Sequence, residues 1–589
     1  MSDVRGPETA VADRYTVLRR HSFLELDARH RALALLDHGS PRELCGPFER
    51  LGSPWLEPQG VVPQEDDGVV IVRGTLDGHP VVVASVEQGF QGGAVGEVSG
   101  VKIATALRLA ADDSRAGRPT AAVLLLETGG VRLQEANLGL AAVSEICAAL
   151  LELRPLAPVI GVVAGTVGSF GGMSIAAGLC TRLLVTREGR VGLNGPAVIE
   201  QEAGADEFDA GDRALVWAVH GGAQRRATGL ADDLVTDDVD TLRTALRTAV
   251  AAGVPRPGRH RSERLDVLRA RLGSFDPASP PAPHDLRALW GDRYEPPRAC
   301  AEATRGPAVP GSQGRARAWL EALTGAAAVR QVIPSVLRAD TADTVHLAVV
   351  PDPGNPFHRA RRGEVGLTEC IALAETVRAV VAEDAEERDT GRRRGIVAVV
   401  DLPSQAYGRI EEMVGLHQAI AATVDAYAHA RTSGHPVVAL VVGHALSGGF
   451  LAHGLQAARI LALDDAGVEI HAMHKPAAAR VTRRTVEQLD ALARTVLPLS
   501  YDVRDWARLG LCDGLLRVSD ADAPTDADTT LVRLALREQI EAARSGPRDL
   551  SYRLESPGAR TTRTASRRVR DTLTRQWTEG SIRTGPADV

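Results

Sequence analysis

PVIGVVAGTVGSFGGMSIAAGL, residues 158–179, contains no charged side chain, and the uncharged run extends from residue 155 to residue 181. That length passes a crude test for a membrane span. The run also holds six glycines and two prolines. A buried strand over 158–165, the turn Gly168-Ser-Phe-Gly-Gly172 and a buried helix over MSIAAGL give the same composition, and this soluble reading is adopted. A second copy follows at 436–455, PVVALVVGHALSGGFLAHGL, with an apolar run, the turn Ser447-Gly448-Gly449 and a helical stretch.

The resemblance between the two stretches extends outward in both directions. VLLLE (123–127) and VAVVD (397–401) are apolar runs that each close on an acid. Each leads into an alanine-rich helical pattern, 137–151 in one case and 413–431 in the other. Short strands, LLVT (183–186) and ILAL (460–463), close the two units, and Gly96-Glu97 and Gly363-Glu364 precede a helix upstream. The offsets are 267, 274 and 277 residues. Such repetition predicts α/β architecture with two homologous domains.

The chain of 589 residues is long enough for several domains. Between Pro255 and Pro310 lie 10 of its 33 prolines, which predicts a linker over 255–312, with a short helix inside it at 262–272. The expected domains are therefore 20–254 and 313–545, followed by a tail over 546–589. From Arg553 to Arg583 that tail carries eight arginines and three acids, the pattern of a solvated tail or a surface helix. A net charge of −7 argues against a dedicated nucleic-acid binder. The start has neither a basic nor an apolar region of the signal-peptide kind, and none of the six cysteines forms a C-x-x-C pair. A cytoplasmic protein with no nucleic-acid or membrane partner is expected.

A strand that delivers Gly-Gly to a helix start leaves backbone N–H groups unpaired, and the missing side chains let a ligand approach them. Such a turn suits an oxyanion, although tight helix-on-strand packing asks for the same residues. Phosphate-loop, dinucleotide-binding and nucleophile-elbow spacings are absent from the sequence. His471 and His474, three residues apart without a carboxylate cluster, are expected to be structural rather than metal ligands. Lys475, in Ala472-Met473-His474-Lys475, is in the middle of a domain, which does not suit a biotinylated carrier lysine.

Longer motifs carry a family resemblance. SFLELDARHRALALLDHGS (22–40), FQGGAVGEVSGVKI (90–103), LLLETGGVRLQEANLGLAA (124–142) and GLNGPAVIEQEAG (192–204) resemble the β subunit of biotin-independent malonate decarboxylase. PSVLRAD (334–340), VVPDPGNPFHRARRGEVGLTE (349–369), GHALSGGFLAHGLQAARILAL (443–463) and HAMHKPAAARVT (471–482) resemble its γ subunit. The resemblance covers about residues 20–240 and 315–520. It implies two crotonase-like (ββα) carboxyltransferase-type domains, here fused where the family usually has separate chains.

The resemblance also implies the reaction: malonyl-S-carrier protein becomes acetyl-S-carrier protein and CO2. The chain itself would bind no cofactor, because the thioester is carried on a phosphoribosyl-dephospho-CoA group of a partner acyl carrier protein, which a transferase subunit loads with malonate. Self-association is expected as well. By analogy, Gly171 and Gly172 face the thioester carbonyl, Ser447, Gly448 and Gly449 face the departing carboxylate, and Gly92 and Gly93 line the thiol-arm channel. Gln134, Glu135 and Lys475 are candidate substrate-binding groups, with Arg480 a further candidate for an anion. The proton that quenches the enolate comes from Glu135, Tyr407 or water. The rival readings are a biotin-dependent acyl-CoA carboxyltransferase and a non-catalytic carrier-protein scaffold.

Overall fold

The computed structural model describes residues 18–297, 314–387 and 389–579. Two sheets organise the chain. The first takes its strands in chain order: β1 (Arg42–Leu44), β2 (Val69–Leu76), β3 (His79–Val86), β4 (Ala121–Leu125), β5 (Val159–Val163), β6 (Arg182–Val185) and β7 (Asp233–Leu234). β1 to β3 pair antiparallel, and β3 to β7 pair parallel.

The second sheet repeats that plan. β8 (Val329–Ile333), β9 (Val336–Asp340) and β10 (Thr344–Val349) pair antiparallel. β11 (Gly395–Leu402), β12 (Val437–Leu446), β13 (Arg459–Leu463) and β15 (Gly514–Leu516) continue in parallel, with the short β14 (Ile470–His471) beside β12. Parallel pairing needs crossovers, and the alanine-rich segments supply them as helices. The fold is a mixed α/β architecture with two sheets of one plan.

In the first half the crossovers include α1 (Glu97–Arg115), α2 (Ala136–Leu153) and α3 (Gly172–Leu179). α2 belongs to a stretch long and apolar enough to cross a membrane, yet 89% of the tested window is buried inside the protein. A helix apolar on every side can be covered from every side, and the second half provides the remaining cover. Ser144 Oγ donates to the Leu455 carbonyl at 2.7 Å, and Gln456 Nε2 donates to the Ser144 carbonyl at 3.0 Å. The uncharged stretch 155–181 that opened the sequence analysis spans β5, its turn and α3.

The segment expected as a linker is folded wherever it is described. It contains α4 (Leu265–Leu272) and α5 (Pro283–Trp290). Pro283 occupies the first turn of α5, where its missing N–H costs nothing. Arg271 is fully buried and covers the rings of Trp290 and Tyr294 at 4.9 and 4.7 Å. Ser262 joins the buried pair Arg154–Asp425, which links the two halves at 3.0 Å. The linker expectation is thus corrected up to residue 297, and 298–313 lie outside the described residues.

The second half contributes α6 (Leu367–Glu383), α7 (Arg409–Val414), α8 (Leu416–Thr432), α9 (Ser447–Ala452) and α10 (Lys475–Val481). α8 lies against α3 of the first half, closely enough that a Cβ on Gly178 would stand 3.0 Å from the Cβ of Ala421. Of the two readings of the tail, the helix holds and the solvated tail is corrected up to residue 579, with 580–589 outside the described residues. The tail forms α11 (Thr564–Glu579), which returns to the first half and packs along α1. Val569, Leu573 and Trp577, four residues apart, are its buried stripe.

Candidate active site between the two halves

The acids that close the apolar runs explain the glycine turns. Glu127, just past β4, accepts the Gly165 N–H at 2.5 Å and the Gly168 N–H at 3.4 Å. Asp401, in β11, accepts the His444 N–H at 3.0 Å. A Cβ on Gly165 or Gly443 would lie only 2.3 or 2.2 Å from the respective carboxylate oxygen. In both halves, then, an acid on one strand pins the exit of the next, from which the glycine pair emerges. Burial raises the Glu127 carboxyl above its ordinary range. Asp401 is only half-buried, and although desolvation opposes it, its hydrogen bonds to His444 hold it low.

The first turn places Gly171 at φ +57°, in the left-handed region, immediately before α3. Its N–H donates to the Leu193 carbonyl at 2.8 Å. The Gly172 N–H has no hydrogen-bond partner among the described residues. In the second turn Ser447 has φ +58°, and the Gly448 N–H donates to Gln405 Oε1 at 2.8 Å. The Gly449 N–H is the uncommitted one there, again among the described residues. Each pair therefore offers one N–H rather than two, with Gly171 and Gly448 serving as anchors.

The turns meet at the seam between the halves. A Cβ on Gly172 would be 2.6 Å from Val143 Cγ1 and 3.2 Å from Cδ1 of Leu451, which belongs to α9. Tyr407 lies beside Ser447 and Gln405, and burial pushes its phenol up to about 12. The seam is closed from the second half by Glu412, whose fully buried carboxylate accepts the Leu193 and Asn194 N–H groups at 3.0 and 2.7 Å.

The other predicted residues divide. Gly92 is exposed at φ +63° with open space where a Cβ would be, whereas a Cβ on Gly93 would collide with the Glu127 carbonyl. Gln134 is partly exposed and donates to Gln91 at 3.2 Å. Glu135 is fully buried. Its carboxylate accepts from Ser53 Oγ at 2.5 Å, Arg132 Nη1 at 2.9 Å and the Glu97 N–H at 3.2 Å. Burial pushes it up to about 7 against the pull of Arg132. Both of its oxygens are occupied and it has no exposure. Lys475, at the start of α10, pairs with Asp490 at 3.1 Å and sits over the Tyr501 ring at 5.0 Å. Arg480 pairs with Glu202 at 3.4 Å. His471 stacks on Tyr501 with ring centroids 3.9 Å apart and bonds the Met473 carbonyl. No cluster of three metal-ligating side chains exists among the described residues.

Asn194, Gln405 and Glu412 were not singled out from the sequence. Asn194 stands inside GLNGPAVIEQEAG and Gln405 inside LPSQAYGR, but nothing in their local spacing signals that they meet across about 210 residues.

Two sheets of one plan, with glycine turns meeting at the seam, define a protein of the carboxyltransferase class. Residues 6–294 match the carboxyl transferase domain family, and residues 360–577 match the malonate decarboxylase gamma subunit family. The chain is 40% identical over 273 residues to malonyl-S-ACP:biotin-protein carboxyltransferase MADC of Malonomonas rubra, covering 45% of this chain and 83% of MADC. It is 39% identical over 134 residues to MADD of the same organism, covering 23% of this chain and 46% of MADD. A Pseudomonas malonate decarboxylase hetero-tetramer crystallised with malonate includes a chain that is 58% identical, covering 47% of this chain and 100% of that one, with a TM-score of 0.46. This chain belongs to the malonate decarboxylase carboxyltransferase family, with a β-type half and a γ-type half fused.

Proposed function

We propose that the chain decarboxylates a malonyl thioester carried on an acyl carrier protein, releasing CO2 and leaving the acetyl thioester. The observation that carries this reading is the meeting at one seam of two glycine turns from different halves, each with one uncommitted N–H. When the bond to the carboxylate breaks, its electron pair passes to the thioester oxygen as an enolate. The Gly172 N–H is the donor assigned to that oxygen, and the Gly449 N–H holds the carboxylate turned out of the thioester plane. The methylene carbon then takes up a proton from Tyr407, whose phenol stays protonated at neutral pH, or from water.

In this reading residues 20–254 and 313–545 act as N-type and C-type crotonase-like domains. The phosphoribosyl-dephospho-CoA arm of the carrier enters past Gly92, where open space supports it. A transferase subunit reloads the carrier, and copies of the chain associate.

Malonyl-CoA, then malonyl-carrier protein, incubated with the purified chain in avidin-treated buffer should yield the acetyl thioester by mass spectrometry. Gly172→Pro, made with Val143→Ala to relieve the 2.6 Å approach, deletes the N–H at a first-turn position that tolerates proline. It should lower kcat about 10²- to 10³-fold relative to Val143→Ala alone. The names of MADC and MADD favour a second reading, carboxyl transfer to a biotinyl protein. Product formed only when a biotinyl carrier is added, with label from the malonyl carboxylate on the biotin, would replace the first reading by the second.

A further inference from the structure

One hydrogen-bonded chain joins the two glycine turns, and it passes through the loop 192–195. From the first turn, the Gly171 N–H donates to the Leu193 carbonyl at 2.8 Å. From the second, the Gly448 N–H donates to Gln405 Oε1 at 2.8 Å, Gln405 Nε2 donates to Asn194 Oδ1 at 2.7 Å, and Asn194 Nδ2 donates to the Ala406 carbonyl at 2.9 Å. Glu412 holds Leu193 and Asn194 from the opposite side. Asn194 is 2% exposed and Gln405 is 5% exposed, so water does not compete for these bonds.

The direction of the chain is forced. A backbone N–H at Gly448 can only donate, and a carbonyl at Ala406 can only accept. Both side-chain amides must therefore orient one way, each using its oxygen toward Gly448 and its nitrogen toward Ala406. A side-chain amide carries both a donor and an acceptor on one planar group at every pH, which an ionised carboxylate does not. Bonds aligned head to tail in a buried setting polarise one another.

We infer that Asn194, acting through Gln405, is a positioning residue that fixes the two glycine turns relative to each other. The loop that carries Asn194 is hydrogen-bonded to the first turn through Leu193, and its side chain holds the second turn, so the seam cannot shift without breaking this chain. The catalytic consequence rests on the malonyl-thioester reading above, whereas the coupling of the turns does not.

Full-length Asn194→Ala and Asn194→Asp variants test both parts. By hydrogen–deuterium exchange mass spectrometry, Asn194→Ala should exchange faster than wild type in peptides covering 165–176 and 444–452. An unchanged 444–452 peptide overturns the coupling, whether or not any thioester is turned over. In turnover, kcat should fall about 10²-fold with KM within about twofold, as expected for a displacement of about 1 Å. In Asn194→Asp the introduced carboxylate, when ionised, would aim an oxygen at the Ala406 carbonyl, whereas the protonated acid can donate to it. The kcat of Asn194→Asp should therefore recover relative to wild type as pH falls through the introduced carboxyl's own pKa, which burial beside Glu412 lifts above the ordinary value of about 4. A ratio independent of pH, or wild-type kcat in Asn194→Ala, overturns the positioning role. A wild-type chain inert toward malonyl thioesters sinks the malonyl reading instead, and the exchange data then decide the coupling alone. Asn194→Asp, nearly isosteric, keeps the test open should Asn194→Ala fail to fold.

Discussion

Glu411 lies four residues past Tyr407 in α7, 1% exposed, and neither of its carboxylate oxygens has a hydrogen-bond partner among the described residues. Burial, with Glu207 and Glu412 nearby, pushes it up from 4.5 to about 8. An unpaired carboxyl in such a place stays protonated, because removing the charge is cheaper than burying it. The native state thus keeps a proton that the unfolded chain releases near 4.5. As pH rises from about 4.5 to about 8, the unfolded state binds fewer protons than the native state, so this group lowers stability through that window. Glu411→Gln removes the titration. The Tm of Glu411→Gln relative to wild type should therefore climb between pH 5 and pH 8 and level off above it. A difference that is flat across those pH values would mean that Glu411 is already ionised in the native protein. Glu135 contrasts with Glu411: it is just as buried but shares Arg132 with Asp67 at 2.9 and 2.8 Å, so its charge has partners.

At the scale of elements, α11 decides how the tail is understood. The Trp577 ring lies under the Arg73 guanidinium at 4.0 Å, its Nε1 donates to Asp113 at 3.0 Å, and it is 3% exposed. At the other end of the helix Ser566 Oγ donates to the buried Glu97 at 2.6 Å, and just before it Arg563 pairs with Glu145 at 3.4 Å, both 1% exposed. Trp577→Ala should cost about 3–5 kcal/mol, the usual range for emptying a large aromatic site. Urea unfolding checks it, and a loss below about 1 kcal/mol would mean that α11 is only loosely seated. The repeated strand–glycine–helix units were legible because buried parallel strands need apolar runs and close approaches need glycine, as at Gly165 and Gly443. A helix in the tail was legible but its buried face was not, because the arginines outweighed the spacing of Val569, Leu573 and Trp577, although long arginine side chains such as those of Arg553 and Arg563 are themselves buried. Prolines misled in 255–297 for a similar reason, since Pro283 starts a helix rather than preventing one. The glycine turns at the seam were visible in the sequence. Their anchors were not, because a hydrogen bond from Leu193 to Glu412 leaves no trace in local spacing.

At the scale of the whole molecule, the halves are held together by far more than the peptide chain between them. Arg154 and Asp425 pair at 3.0 Å while nearly excluded from water, and Arg154 with Arg378 holds Asp425 at about 2 although burial opposes it. Glu412 of the second half anchors a loop of the first, while α8 packs on α3 and Ser144 reaches Leu455. Arg553, from the second half's own C-terminal extension, donates to the Leu455 and Ala457 carbonyls and reaches Ser144 Oγ at 3.3 Å, tying the start of the tail to both halves. α11 then sits on α1 across the seam. A protease site placed within 298–313 and cleaved should therefore yield two fragments that co-elute at micromolar concentration and separate only in denaturant. The same cleavage in a chain ending at residue 556 should weaken the complex, because Arg563, Ser566 and Trp577 are then lost from the first half's surface. Fragments of the full chain that elute apart without denaturant would mean that the seam is maintained by the covalent connection. In that case the meeting of the two glycine turns would depend on the fusion itself rather than on the packing between the halves.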